Sequence, residues 1–178
     1  MEPSASTSGP PPAAPPGTGR PEVEEARFRL VLGHFATGVT VVTGTTAEGP
    51  VGLAVNSFTS ISLSPPLVGF CARNDSRSWP RMRAAGSFCV NVLGEDQEEL
   101  SRAFAQLDAD RFLGVGWRPA PSGAPRLEGI LAWVDCDLEA EHAAGDHVIV
   151  VGRVRDLGVS GHGGPLVFYR GGYGRLTP

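Results

Sequence analysis

Short β-branched runs, cut apart by Gly and Pro and never alternating with long helices, constrain this chain more than any other feature. "VTVVTGTT" (39–46), a turn at "AEGP", "VGLAVNSFTSISLSPPLV" (51–68), "LVGFCA" (67–72), "SFCVNVL" (87–93) and "HVIVVGRVRDL" (147–157) have the length and punctuation of strands joined as hairpins. Residues 131–142 alternate cleanly, with Ala132, Val134, Cys136, Leu138 and Ala140 on one face and Asp135, Asp137, Glu139 and Glu141 on the other. That pattern predicts a half-buried strand with a solvated acidic face. Helical signals are few. "PEVEEARFRLVLGHFATG" has Pro21 near its first position, acids in its first turn, Phe28, Val31 and Phe35 on one face, and Gly38 as a stop. "DSRSWPRMRAAG" (75–86) is opened by Asp75, Ser76 or Ser78 and capped by Gly86, and "GEDQEELSRAFA" (94–105) has Asp96 as its N-cap. Residues 106–129, rich in Gly and Pro, read as a long surface excursion. Six or seven strands with two or three helices predict a mainly β fold with short helices (α+β), a closed or split antiparallel β-barrel and not a doubly wound sheet.

The 178 residues suffice for one domain, since domains commonly run to about 100–150 residues. Residues 1–21 are almost wholly Pro, Gly, Ser, Thr and Ala, too poor in large apolar groups to offset the entropy of ordering. We expect a disordered arm there and the folded domain over 22–178. The arm lacks the charged and apolar regions of a secretory signal, and no run approaches the roughly 18 apolar residues of a membrane span, so a soluble, cytoplasmic protein is expected. The net charge of −4 argues against a nucleic-acid partner. All 15 basic residues are Arg, which excludes Schiff-base chemistry and the Lys-containing phosphate loop. Cys71, Cys89 and Cys136 are odd in number, far apart and embedded in apolar runs, as expected of reduced core thiols.

The catalytic signatures that can be tested are mostly missing. The four His, at 34, 142, 147 and 162, do not form a metal-ligand spacing. Ser160 and His162 lie together in "GVSGHGG" but lack the strand-turn-helix context of a nucleophile elbow. "GVGW" (114–117) neither follows a strand nor continues to a third Gly, so no dinucleotide fingerprint is present. The remaining candidate is a cradle for a polar, weakly charged ligand. The stretch after Val51 fills with Asn56, Ser57, Thr59, Ser60, Ser62 and Ser64, and "RNDSRS" sets Ser76, Arg77 and Ser78 at a helix start suited to phosphate. Each of these also has a structural reading, as an edge strand or a helix cap.

Seven blocks in order carry a resemblance: "FATGVTVVT" (35–43), "GLAVNSFTSISLSPPLV" (52–68), "SRSWPRM" (76–82), "FCVNVL" (88–93), "AWVDCDL" (132–138), "GDHVIVVGRV" (145–154) and "PLVFYRGGYG" (165–174). Over roughly residues 24–176 the chain resembles the flavin reductase domain family, in particular the small NAD(P)H:flavin oxidoreductase component of two-component flavin-dependent monooxygenases. The resemblance implies a split β-barrel homodimer that binds FMN or FAD, reduces it with NADH or NADPH, and releases it to a partner oxygenase. It implies a flavin ring and ribityl chain along Pro50, Val51, Gly52, Leu53, Ala54, Asn56 and Ser57, with Gly52 permitting close approach. It implies a phosphate near Cys71, Ala72, Arg73, Arg77 and Ser78. It implies a nicotinamide near His147, Tyr169, Arg170, Gly171 and Gly172, with His147 orienting it. One departure is Ala54, where many relatives carry Thr, so a hydroxyl toward the flavin is lost. Two rival readings follow from the same residues: a split barrel with a fixed flavin that reduces another substrate, and a non-catalytic flavin-binding module.

Overall fold

The computed structural model describes residues 23–106 and 111–176, so the arm expected at 1–21 lies outside the described residues. The chain opens with α1 (Glu25–Leu32) and the two-residue strand β1 (Thr37–Gly38). There follow β2 (Thr40–Thr46), β3 (Gly49–Val55), β4 (Thr59–Leu63) and β5 (Pro66–Arg73), then α2 (Trp79–Ala85), β6 (Ser87–Val92) and α3 (Glu98–Ala105). The second half holds β7 (Trp117–Pro119), β8 (Pro125–Leu127), β9 (Ala132–Ala144), β10 (His147–Val159), β11 (Leu166–Tyr169) and β12 (Gly172–Arg175).

Seven strands form one sheet in the order β3-β2-β6-β9-β10-β5-β4, and every pairing is antiparallel. The two edge strands, β3 and β4, are separated in the chain by only Asn56, Ser57 and Phe58. The sheet therefore has to curl, and β3 comes back toward β5 without pairing to it. The result is an antiparallel barrel split along one seam, in agreement with the expected fold.

Both faces of the central strands are covered, which explains why "VTVV" and "FCVNV" are apolar without alternation. Val42, Phe70, Trp79, Phe88, Val90 and Val150 fill the inside of the barrel. Three of its rings meet edge to face, with centroids 5.4 Å apart for Phe70 and Trp79 and 5.5 Å for Phe70 and Phe88. Val41, Cys89, Leu93, Phe104, Leu127 and Trp133 form a second cluster. Trp79 belongs to α2, whose indole N–H donates to Glu141 Oε1 at 2.6 Å. This helix ends as expected at Gly86, in the left-handed conformation at φ 69°.

Several details differ from the sequence reading. Helix α1 stops at Leu32 with Gly33 as its cap, and Gly38 instead pairs in β1 with Val167. None of its residues is buried, and the described residues leave the apolar stripe of Phe28, Val31 and Phe35 more than half exposed. Helix α3 is capped by Gln97, not Asp96; its side chain accepts the Gly94 N–H at 3.0 Å and donates to the Glu128 carbonyl at 3.1 Å. The segment expected to be a surface excursion carries the β7–β8 hairpin, whose Ala120, Ala124 and Leu127 are buried. Polar groups pin it to the barrel. The Leu127 N–H donates to buried Asn91 Oδ1 at 2.8 Å, Thr45 Oγ1 donates to the Gly123 carbonyl at 2.8 Å, and Asp135 accepts the Ser122 N–H at 2.8 Å and its hydroxyl at 2.5 Å. Asp135 is accordingly 0% exposed, and the acidic face of β9 is solvated only beyond it.

Candidate functional site

The seam opens into a cavity of about 440 Å³. The end of β3 and the loop after it supply Leu53, Ala54, Val55, Asn56 and Ser57, and β5 supplies Cys71 and Arg73. The segment leading into α2 adds Asp75, Ser76 and Arg77, the last turn of α3 adds Phe104 and Ala105, and Arg111 and His147 complete the wall. A second hollow of about 220 Å³ shares Ala54, Val55, Asn56 and Ala105 and adds Val39, Ser101, Phe168 and Tyr173. There the Ser101 and Tyr173 hydroxyls hydrogen-bond at 2.8 Å.

Ser57 is the bolt across the seam. Its Oγ accepts the Cys71 N–H at 2.9 Å and donates to the Cys71 carbonyl at 3.4 Å, tying the loop after β3 to β5 where no ladder joins them. Asn56, the next residue back, is exposed and presents amide donors and acceptors to the opening. Strand pairing sets His147 directly opposite Arg73, although 74 positions of sequence separate them. Arg73 donates from Nε and Nη2 to the two oxygens of Asp75 at 2.9 and 2.7 Å. This bidentate bond holds the Asp75 carboxyl below, and the Arg73 guanidinium above, its ordinary pKa. The His147 ring meets Asp146 Oδ1 through Nδ1 at 2.8 Å, and that bond holds Asp146 below the usual carboxylate range. The rim thus sets Arg73 between the carboxylates of Asp75 and Asp146, with His147 beside it in the cavity wall.

Of the residues expected to bind flavin, Leu53, Ala54, Asn56, Ser57, Cys71, Arg73 and Arg77 line this one cavity, together with His147 from the nicotinamide set. Pro50 and Val51 lie earlier on β3, and Val51 is in the core. Ala72 is 1% exposed and faces the barrel interior. Ser78 is buried behind the wall, where its hydroxyl accepts from Arg111. Gly52 makes its close approach to protein: a Cβ there would stand 2.7 Å from the Phe104 ring and 3.0 Å from the Val42 carbonyl. Tyr169, Arg170, Gly171 and Gly172 form the β11–β12 hairpin turn, with Arg170 and Gly171 at φ 50° and 79°, and line neither hollow. The turn packs on α1 instead, the Arg170 N–H donating to the Gly33 carbonyl at 2.8 Å and Tyr169 meeting His34 edge to face at 6.2 Å. Phe104, Ala105 and Arg111 were not legible as wall residues, because their segment carries ordinary helix and loop signals.

Among the described residues no group of three or more His, Cys, Asp and Glu is placed to hold a metal ion, and no helix is long and apolar enough to cross a membrane. The three cysteines are free. Burial raises the Cys136 thiol to about 12 and pushes Cys89 further in the same direction, so neither is a nucleophile at neutral pH.

A split antiparallel barrel whose seam holds a cavity lined by guanidinium, hydroxyl and amide groups can hold a polar, anionic ligand without a glycine-rich phosphate loop. Comparison with known proteins narrows this: the chain belongs to the flavin reductase like domain family, whose pattern it matches over residues 32–177. It is 48% identical over 156 residues to a flavin reductase of Pseudomonas putida, a match covering 87% of this chain and 92% of that protein. It is 46% identical to the reductase subunit HsaB of a flavin-dependent monooxygenase from Rhodococcus jostii, over 88% of this chain and 80% of that one. Among solved structures it is similar to the NADH:FAD oxidoreductase SgcE6 of Streptomyces globisporus in complex with NAD and FAD fragments, with a TM-score of 0.82 and 38% identity over 87% of this chain and 94% of that one.

Proposed function

We propose that this protein is the reductase component of a two-component system, taking up FMN or FAD in the seam cavity, reducing it with NADH or NADPH, and handing reduced flavin by diffusion to a flavin-dependent monooxygenase. The observation that carries the reading is the wall of the cavity, which combines three guanidinium groups, Asn56 and Ser57 with apolar Leu53, Ala54 and Phe104. This donor set fits a planar, amide-edged ring at one end and a phosphate at the other. The bound flavin and nicotinamide supply the redox chemistry themselves. The chain is left with binding, orientation and exclusion of water. Asn56 offers neutral donors and acceptors to the amide edge of the ring. Ser57 acts through its bolt to Cys71 and fixes the width of the cavity. His147, with Nδ1 engaged by Asp146, is held in one ring orientation to position the nicotinamide.

The role of Tyr169 to Gly172 rests on the family resemblance, and their packing against α1 supports a place near a subunit boundary. Phe28, Leu30, Val31 and Phe35 are each more than half exposed, an apolar face that a second copy would cover, so the working unit is a homodimer. Three free thiols accord with a cytoplasmic location. The test is steady-state oxidation of NADH and NADPH with FMN or FAD in large excess over protein. Turnover of many flavins per chain supports a diffusible cofactor. A single turnover would mark a fixed prosthetic group, and no turnover a binding module.

A further inference from the structure

The charges around the cavity are not evenly balanced. Arg73 is engaged by both oxygens of Asp75, with Asp146 close enough to act on it as well. Arg29, Arg102, Arg153 and Arg155 likewise each meet a carboxylate. Arg111 does not. Its Nη1 donates to the Gly52 carbonyl and to Ser78 Oγ, and its Nη2 to the Gln106 carbonyl. All three acceptors are neutral, and no carboxylate among the described residues meets it. Partial burial lowers its pKa. A guanidinium has five N–H donors, so two of them carry no acceptor from the described chain. The three anchors come from β3, from the residue before α2 and from the residue after α3, so the head group is held before any ligand arrives.

We propose that Arg111 is the phosphate-selecting residue of the seam cavity, receiving the phosphate of FMN or the diphosphate of FAD and discriminating against the unphosphorylated ring. This rests on the flavin reading above and names a residue that the sequence pattern did not. Phosphate oxygens suit the planar fork better than they suit a point charge.

Quenching of flavin fluorescence by the unmodified protein and by Arg111→Gln, titrated with riboflavin, FMN and FAD, tests it. The glutamine keeps an amide donor for the Gly52 carbonyl and removes the charge. The preference for FMN over riboflavin should fall about tenfold to hundredfold, the worth of a charged hydrogen bond, while riboflavin affinity changes less than about twofold. Equal loss for both ligands, or an unchanged preference, overturns the assignment. A weakened NADH titration with the flavin preference intact also overturns it, since the phosphate would then be that of the nicotinamide nucleotide. If the unmodified protein binds no flavin at all, the flavin reading itself has failed. Phenylglyoxal labelling of the unmodified protein, mapped by mass spectrometry, needs no variant. FMN should shield Arg111 and riboflavin should not; equal labelling under both sinks the proposal.

Discussion

Asn56 and Arg111 stand at opposite limits of what single residues reveal. Asn56 follows an apolar strand as a lone amide, a signal legible in the sequence, and it lies exposed at the mouth of the cavity. Replacing Asn56 with Leu should weaken flavin binding about tenfold, the worth of a hydrogen bond or two, with no change in thermal midpoint; fluorescence titration beside a melting curve reads both. Arg111 lies in the segment 106–129 that reads as a surface excursion, and only the fold reveals which carbonyls it meets. Asn91 is an intermediate case. It interrupts "FCVNVL", a signal that was legible, yet its meaning was not. It is fully buried, with Nδ2 donating to the Val41 carbonyl at 3.0 Å and to Thr43 Oγ1 at 3.1 Å and Oδ1 accepting from Leu127. Asn91→Leu strands the Leu127 N–H, at a cost of about 1–3 kcal/mol for a buried group left unpaired. The urea midpoint should drop accordingly.

At the level of elements, strands and helices were legible wherever periodicity was strong, as in β2, β5, β6, β9, β10 and α2. The β7–β8 hairpin was not, because three-residue strands in a Pro- and Gly-rich segment have no readable period and owe their place to Asn91, Thr45 and Asp135 on other strands. Alternation alone places Asp135 toward solvent, and the hairpin that covers it, whose Ser122 is 13 residues away, has no readable period of its own. Burial raises its carboxyl pKa against the opposing hydrogen bonds from Ser122 and the charge of Arg155. A raised folded-state pKa means the folded protein holds this proton more tightly than the unfolded chain. Its contribution is therefore greatest below about pH 4, the unfolded value, and is lost as pH rises through the raised one. Asp135→Asn forfeits an acceptor for Ser122 but does not titrate, so its stability deficit against the native protein should narrow as pH rises above about 4. Urea unfolding across that range checks the sign; a widening gap would refute it. Gly52 carries the contact between β3 and α3. Gly52→Ala presses on Phe104 and on the Val42 backbone, and overpacking of this kind costs about 1–3 kcal/mol. Calorimetry reads the loss, and because Phe104 lines the cavity, flavin affinity should fall with it.

For the molecule as a whole, antiparallel class and the absence of a dinucleotide fingerprint followed from the sequence and the split barrel from the family resemblance, but which strands flank the seam did not. Nothing local says that β5 takes β4 and β10 as neighbours and leaves β3 unpaired. The exposed face of α1 is a second feature of this scale, legible as an apolar stripe but not as one that the described residues leave uncovered. Phe28→Asp combined with Val31→Asp should convert a dimer into a monomer with unchanged far-UV circular dichroism, and sedimentation at micromolar protein decides it. The seam has a consequence for how such a scaffold diversifies. Its two margins are joined by one serine and not by a ladder, so their spacing is a property of a few side chains. Substitutions there can widen or narrow the berth, exchanging a mononucleotide for a dinucleotide or a quick tenant for a slow one, without redrawing a single strand.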